Sequence, residues 1–270
     1  MRQVIPVRLP AGSQSSVSKD KQWSSEAKQS SSSSDDKAYA IVDVQGQGRG
    51  LVAARDIRRG DVVLSDRAVA VGLDEVELLR NCAADPAARA VIDELCSLSY
   101  DALDGAARRR LADAVDGAAD LAAFFAPHDD ADEFDEAWAK RASLRLECNV
   151  FTLWTVDYER RSMGLFPVAR LLNHSCAPNC VREQEGDDLR FTALENIPAG
   201  GALTFSYVPA AYGREARRRL LRDYFQFACG CPRCAGDPAA DERARGALAH
   251  VGCGGSWNAA GRCAICGAAR

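Results

Sequence analysis

Three cysteines near the end of the chain constrain its fold more than any other feature. Cys229, Cys231 and Cys234 form a C-x-C-x-x-C pattern, a spacing that turns three thiolates towards one point. A structural zinc site is tetrahedral and closed by four protein ligands, so a fourth ligand must come from elsewhere. The candidates are Cys176 and Cys180. Either one would fasten the terminal segment to a stretch about fifty residues earlier in the chain.

That earlier stretch, residues 170–180, reads R-L-L-N-H-S-C-A-P-N-C and is unsuited to ordinary core packing. Leu171 and Leu172 provide an apolar anchor, while Pro178 and Asn179 predict a turn. Four side chains that can form hydrogen bonds or bind metal lie between them: Asn173, His174, Ser175 and Cys176. We therefore interpret the stretch as a candidate functional site.

The overall composition narrows the classes of function. The chain has 270 residues, 47% of them hydrophobic, with a formal net charge of −4 at pH 7. This acidic balance argues against a nucleic-acid surface, which needs clustered lysine and arginine. The sequence has no apolar run typical of a secretory signal or a membrane span. We expect a monomeric protein of the nucleus or cytoplasm, without membrane contact. In such a reducing compartment its eleven cysteines stay reduced, and closely spaced thiols favour metal binding over disulfides.

Hydrophobic patterning predicts an α+β fold, mainly β, in which two groups of strands flank a helical insert. Strands are predicted at residues 39–44, 51–54, 62–71, 151–156, 164–168, 181–184, 189–194 and 202–207. Helices are predicted at residues 74–95, 106–126, 132–149, 214–227 and 237–249. A polar turn at residues 185–188 predicts a hairpin between two of the strands.

These patterns divide the chain into six segments. The first, residues 1–37, is serine-rich and predicted to be a disordered tail, with a transit peptide as the alternative. The others are strands at 38–73, the helical insert at 74–148, strands at 149–212, a zinc segment at 213–236, and a helix with a candidate small zinc ribbon at 237–270.

A glycine loop, Gly46-Gln47-Gly48-Arg49-Gly50, separates the first two predicted strands. It lacks the G-x-G-x-x-G spacing and no helix follows it, so a Rossmann interpretation fails. Taken alone, the loop is better explained as a hairpin turn that needs positive φ angles.

A second set of metal-binding residue types lies beyond the cysteine triplet. It consists of two pairs with the spacing of a zinc ribbon, His250 with Cys253 and Cys263 with Cys266. The alternative is a frayed terminal tail with free thiols. Cys82 has no partner at metal spacing, and we expect it to be buried as a small apolar residue.

The order of these features resembles that of SET-domain protein methyltransferases, and within them the SET-and-MYND (SMYD) group. The resemblance covers residues 38–235. It rests on Gly48-Arg49-Gly50, E-C-N-x-F-T at 147–152, L-L-N-H-S-C-x-P-N-C at 171–180, L-T-F-S-Y at 203–207 and the run from Arg217 to Cys234. The two groups of strands would then be the two halves of a SET domain.

The resemblance implies a small β-sheet fold with a knot-like crossing beside bound S-adenosylmethionine. The residues implied in cofactor binding are Gly48, Arg49, Gly50, Asn149, Asn173, His174 and, stacked on adenine, Phe227. Tyr207 matches the catalytic tyrosine, although its position in the sequence alone would suit a core aromatic. The residues implied as zinc ligands are Cys176, Cys229, Cys231 and Cys234.

The leading hypothesis is therefore an S-adenosylmethionine-dependent methyltransferase that acts on a lysine of a protein substrate, histone or non-histone. With a histone as substrate it would be a chromatin regulator. One alternative is a non-catalytic interaction module built on the same scaffold. Another is a zinc-stapled nucleic-acid binder, suggested by the cysteines and by arginines 217–219, but the acidic balance of the chain disfavours it.

Two departures from the group's pattern bear on function. Residues 72–147 contain only Cys82 and Cys96, too few for the two-zinc MYND finger. Gly201 and Ser206 stand where the family commonly has acidic residues. These differences affect substrate choice and rate more than cofactor binding.

Overall fold

The computed structural model describes residues 37–95, 136–154, 161–241, 243, 257, 261–263 and 268–269. Several predictions lie outside these residues: the serine-rich tail, the helix at 106–126, and three of the four residues in the second metal set, His250, Cys253 and Cys266. Most of the helix predicted at 237–249 also lies outside them. No helix within the described residues is both long and apolar enough to cross a membrane.

Short strands form the frame of the molecule, and the predicted α+β class with mainly β-structure is confirmed. The strands are β1 (Tyr39–Val44), β2 (Gly48–Ala53), β3 (Val62–Arg67), β4 (Ala70–Gly72), β5 (Phe151–Trp154), β6 (Arg161–Leu165), β7 (Asn173–His174), β8 (Cys180–Glu185), β9 (Asp188–Ala193) and β10 (Thr204–Phe205). The helices are α1 (Glu75–Ala84), α2 (Pro86–Asp93), α3 (Glu136–Asn149), α4 (Arg214–Phe225) and α5 (Pro232–Ala235), with a 3-10 turn at Ala169–Leu171.

The strands pair in four small sheets among the described residues. Three are antiparallel: β1 with β2, β3–β9–β8, and β4–β6–β5. The fourth joins β7 to β10 in parallel. Parallel neighbours need a long connection rather than a tight turn, and here the connection is the β8–β9 hairpin predicted from its polar turn. The structure therefore brings residues 173–174 beside residues 204–205.

The predicted strand at 62–71 proves to be two strands in different sheets. β3 pairs with β9, whereas β4 pairs with β6. The division falls between Arg67, the last residue of β3, and Ala70, the first of β4. Just before it, the Asp66 carboxylate accepts hydrogen bonds from the amides of Val168 (2.8 Å) and Ala169 (2.7 Å). The predicted strand at 202–207 is also shorter than expected, because only Thr204 and Phe205 pair with β7.

Two apolar cores support these sheets. One lies among the strands and includes Leu51, Phe166 and Phe191, which are almost completely buried. The other lies between α1, α2 and α3 and is lined by residues such as Leu78 and Ile92. Cys82 is fully buried in this second core, as its lack of metal-spaced partners suggested, and burial raises the pKa of its thiol to about 12. The described helices of the insert thus share this core with β4 and β6, which contribute Ala70 and Leu165.

Candidate active site and metal centre

The two-stranded parallel sheet brings the polar stretch against the segment that carries Tyr207. Asn173 lies opposite Thr204, and the Ser175 amide donates to the carbonyl of Phe205 at 3.0 Å. Asn179 fixes this crossing, because its side chain accepts from the Thr204 amide at 2.9 Å and donates to the Ala202 carbonyl at 2.7 Å. One asparagine side chain therefore holds together two segments that are distant in sequence.

Tyr207 is half-buried with its hydroxyl group fixed. The hydroxyl donates to the backbone carbonyl of Leu172 at 2.7 Å, directly before Asn173. Its ring lies among aromatic neighbours, with centroid separations of 4.9 Å to Phe205, 5.0 Å to Phe225 and 5.1 Å to His174. This arrangement places a hydrogen-bonding oxygen in an apolar surrounding at the sheet crossing.

His174 links Tyr207 to the cysteines. Its Nδ1 accepts a hydrogen bond from the Tyr207 backbone amide at 3.0 Å, and its Nε2 lies 3.2 Å from the Sγ of Cys176. Since a backbone amide only donates, Nδ1 carries no proton, and the neutral ring must carry it on Nε2, facing the sulfur. Burial lowers the pKa of His174 to about 4, which keeps the ring neutral near pH 7.

The sulfur atoms of Cys176, Cys229, Cys231 and Cys234 all lie within 4.8 Å of one another. The Cys176 sulfur is 3.9 Å from that of Cys229 and 3.5 Å from that of Cys234. Four thiolates about 2.3 Å from a tetrahedral zinc ion would lie about 3.8 Å apart, so the donor set and its spacing fit zinc. These residues would hold the ion as a structural staple.

Cys180, the other candidate for fourth ligand, does not join this cluster. It is buried in the strand core. Its sulfur lies 3.5 Å from the Asn179 side-chain oxygen, and burial raises the pKa of its thiol to about 12. Of the two candidates, the structure therefore brings only Cys176 to the three terminal cysteines.

Gly50 makes the closest approach between the glycine loop and the polar stretch. A Cβ atom at this position would lie 2.6 Å from Nδ2 of Asn173 and 2.8 Å from Cγ2 of Val44, so only glycine fits without displacement. Gly48, in the same loop, has a φ of +73°, which also favours glycine. Among the described residues no protein group hydrogen-bonds the Asn173 side-chain amide, which leaves the amide available to a ligand.

The Arg49 side chain is engaged with the helical insert. It donates to the Glu94 carbonyl at 2.6 Å and to the Glu94 carboxylate at 3.2 Å. Arg170 donates to the same carboxylate at 2.8 Å. The hydrogen bond from Arg49, followed by that from Arg170, holds the pKa of Glu94 below its usual value. Glu94 thus connects the insert to both the glycine loop and the polar stretch, a role that the sequence patterns did not predict.

Asn149 and Phe227, two of the residues implied in cofactor binding, both contact other residues of the chain. The amide of Asn149 donates to the Arg145 carbonyl at 2.7 Å, which satisfies a polar residue at the end of α3. The Phe227 ring lies 5.8 Å from that of His174 and 6.5 Å from that of Tyr207. Phe227 is therefore part of the aromatic group around the tyrosine.

Of the second metal set, only Cys263 lies within the described residues. It is buried, its amide donates to the Ala268 carbonyl at 2.8 Å, and it pairs with Trp257 in a β-bridge. The zinc ribbon at 250–266 stays a prediction.

A group of buried charged residues beside the cysteines was missing from the sequence predictions. Arg217 is completely buried and donates to the Tyr212 carbonyl at 2.6 Å and to the Asp241 carboxylate at 2.8 Å. Arg233 donates to the same carboxylate at 2.6 Å. A signal was present in the sequence, because Arg217 lies four residues before the buried Leu221 and so shares its helix face.

The SET domain family model matches residues 48–208, more than half of the chain. The chain is 40% identical over 93 residues to histone-lysine N-methyltransferase SMYD3 of Mus musculus, a match covering 34% of this chain and 22% of that protein. It is 31% identical over 91 residues to histone-lysine N-methyltransferase ASHR1 of Arabidopsis thaliana, covering 34% and 19%.

Among solved structures, the SET domain of LSMT bound to lysine and AdoHcy aligns with a TM-score of 0.46 and 15% identity, covering 72% of this chain and 53% of that one. The match to the two curated relatives spans only about a fifth of their length. The family itself is shown by the domain match together with the relatives, and it agrees with the residues assembled around Tyr207. The chain belongs to the SET-domain family.

Proposed function

We propose that the protein transfers a methyl group from S-adenosylmethionine to a lysine side chain of a protein substrate, histone or non-histone. The observation that carries the proposal is the position of Tyr207, whose hydroxyl is held at the Leu172 carbonyl beside Asn173 and His174. The proposal is supported by family membership and by relatives that are named lysine methyltransferases.

The glycine loop and the polar stretch supply groups that fit the cofactor. The Asn173 amide faces Gly50 at a distance that excludes a side chain, and close backbone approach to a ligand is a common use of glycine. S-adenosylmethionine, when bound, supplies an activated methyl group on a sulfonium centre. The residues assigned to hold it are Gly48, Arg49, Gly50, Asn149, Asn173, His174 and Phe227.

The aromatic group around Tyr207 suits a lysine substrate. A lysine amine attacks only in its neutral form, and apolar surroundings lower its pKa by disfavouring the ammonium. Phe205, Phe225 and Phe227 provide such surroundings near the tyrosine. The Tyr207 hydroxyl and the Leu172 carbonyl are fixed polar groups that can orient the reacting atoms.

The zinc staple stabilises this arrangement without taking part in the chemistry. Cys176 lies two residues after His174, whose ring contacts both the Cys176 sulfur and the Tyr207 amide. Metal binding at the four cysteines would therefore fix the backbone on which Tyr207 depends. A closed four-thiolate site leaves no coordination position for substrate.

Transfer of labelled methyl groups tests the proposal. Wild type should label histones or proteins of a cell lysate, and Tyr207→Phe should reduce the rate by about 100-fold, the usual effect of removing one well-placed hydrogen-bonding group. Tyr212→Phe is a matched control and should keep the wild-type rate, while calorimetry should show unchanged cofactor affinity in both variants. Equal labelling by wild type and Tyr207→Phe would refute the role of Tyr207. Cofactor binding without labelling by wild type would favour a non-catalytic interaction module.

The structure weakens the nucleic-acid alternative. Of arginines 217–219, Arg217 is completely buried and paired with Asp241, so it presents no charge to a phosphate backbone. We infer that the partner is a protein, that the chain acts as a monomer, and that it works in the nucleus or cytoplasm, where lysine-containing substrates are accessible.

A further inference from the structure

Two buried arginines, one partly exposed arginine and a buried aspartate form a cluster beside the four cysteines. The Asp241 side chain is 5% exposed, and its carboxylate lies 2.8 Å from Nη2 of Arg217 and 2.6 Å from Nε of Arg233. Arg214 is more distant, with its Nε 4.0 Å from the carboxylate. The side chains of Arg217 and Arg233 are 0% and 2% exposed. Water therefore compensates little of their charge.

The cluster has more positive charge than its single carboxylate can balance. The two buried guanidinium groups of Arg217 and Arg233 against one carboxylate leave one positive charge in excess, and the partly exposed Arg214 adds to it. Buried charge is strongly unfavourable unless it is paired. Four neutral thiols would leave this excess uncompensated, whereas a zinc ion with four thiolates carries two negative charges and would balance it.

The buried arginines lie against Cys176, one of the four clustered cysteines. Arg233 donates to the backbone carbonyl of Cys176 at 3.0 Å. The Arg217 guanidinium lies within interaction distance of the Cys176 side chain and donates to the Asp241 carboxylate. The Cys176 sulfur also faces the Nε2 of His174. The sulfur of Cys176 thus lies among donors suited to a thiolate.

We propose that Arg217 and Arg233 are the charge-balancing partners of a zinc–tetrathiolate centre, and that Asp241 anchors the segment 237–241 to them. The inference rests on zinc binding by the four cysteines, which belongs to the proposed function. It assigns positioning residues for the metal that the cysteine spacing does not reveal. Zinc binding and docking of the segment are coupled, because the same two arginines serve both.

Zinc affinity of the full-length chain tests the inference. Competition with a chelator should give a zinc dissociation constant about tenfold weaker for Arg217→Met, since loss of a residue supporting metal ligands typically costs 10–100-fold. Arg219→Met removes the same charge from an exposed position on the same helix and should stay within about twofold of wild type. The bound zinc that is lost in Cys229→Ser is the zinc held at the four cysteines. This variant therefore distinguishes that zinc from any bound elsewhere in the chain.

Asp241→Asn separates charge balance from packing. It removes the negative charge but keeps the shape, so zinc should bind at least as tightly as in wild type, while hydrogen exchange of residues 237–241 becomes faster. Arg217→Lys keeps the charge and should retain most of the affinity. If Asp241→Asn and Arg217→Met weaken zinc equally, the cluster acts only through packing and the inference is wrong.

The remaining outcomes separate this inference from the proposed function. If wild type holds zinc and Arg217→Met binds it equally well, only the charge-balancing role is overturned. If wild type holds no zinc at the four cysteines, the proposed metal site itself is wrong. If Arg217→Met does not fold, the comparison of Arg217→Lys with Asp241→Asn still distinguishes charge from packing.

Discussion

Glu94 and Asp241 each lie between arginines, yet they differ in exposure. The Glu94 side chain is 60% exposed and joins Arg49 to Arg170, whereas the Asp241 side chain is 5% exposed and joins Arg217 to Arg233. Ion pairs with an exposed partner contribute less, because water and salt screen that partner, and this holds for Glu94 even though its partner Arg170 is only 5% exposed. An unpaired charge in a cluster buried on both sides is strongly destabilising. We therefore expect the Glu94 contact, beside the glycine loop, to stabilise the protein less than the Asp241 contact, beside the four cysteines.

The largest expected effect is on zinc binding by the four clustered cysteines. Cys176→Ser removes one of four thiolates and should abolish stoichiometric zinc binding at this site, with loss of most of the several kcal/mol that a structural zinc contributes to folding. Cys180→Ser is the matched control, since Cys180 is buried but outside the cluster. Metal analysis and thermal unfolding of both variants would measure this. Loss of zinc from Cys180→Ser with retention in Cys176→Ser would contradict the assignment.

Truncation of the two acidic residues compares the regions directly. Asp241→Ala should lower the free energy of unfolding by about 3 kcal/mol, because it leaves two buried arginines without their carboxylate. Glu94→Ala should lower it by only about 1 kcal/mol, because the Glu94 carboxylate itself is largely exposed, although Arg170 is buried. Denaturant unfolding of the two variants gives both values. Equal losses would show that burial does not separate the two clusters.

Gly50→Ala tests the cofactor side without changing charge. The added methyl group would lie 2.6 Å from the Asn173 amide, so we expect displacement of that amide and about tenfold weaker binding of S-adenosylmethionine. Gly213→Ala is the control, because a Cβ at Gly213 meets no atom within 4 Å. Calorimetric titration of both variants measures the affinities, and unchanged affinity in Gly50→Ala would remove Asn173 from the cofactor site.

The smallest expected effect concerns the pH dependence of the Glu94 ion pairs with Arg49 and Arg170. The pKa of Glu94 is lowered in the folded protein, first by its hydrogen bond to Arg49. The unfolded chain therefore binds the proton more readily, and the stabilisation is complete above the unfolded pKa of about 4.3 and lost as the pH falls through the lower, folded value. The stability difference between wild type and Glu94→Gln should shrink below about pH 4.3 and also in high salt. A difference that is independent of salt would mean that Glu94 does not act through exposed charge.

Local signals in the sequence predicted much of the fold. The hairpin of β8 and β9 followed from alternating residues around a polar turn, and the corner at Gly46 and Gly48 from glycine spacing. The division of residues 62–71 between two sheets could not be predicted, because it depends on pairing with two distant strands, β9 and β6.

The same limit applies to the site. Spacing indicated that three cysteines needed a fourth, but only the chain path separates Cys176 from Cys180. The sequence predicted no partner for Glu94 and offered Arg217 as support for nucleic-acid binding, because composition does not show that a charged residue has a partner far along the chain. Their partners, Asp241 and the arginines at 49 and 170, come from other segments.

The central claim is that one short stretch connects the metal centre to the cofactor and Tyr207 through His174. Calorimetric titration of S-adenosylmethionine into zinc-loaded and zinc-depleted full-length protein tests it most directly. We predict that binding weakens at least about tenfold on zinc removal, because the backbone of residues 173–176 loses its anchor, and that it recovers when zinc is restored. Wild-type affinity in folded, zinc-free protein would contradict the claim.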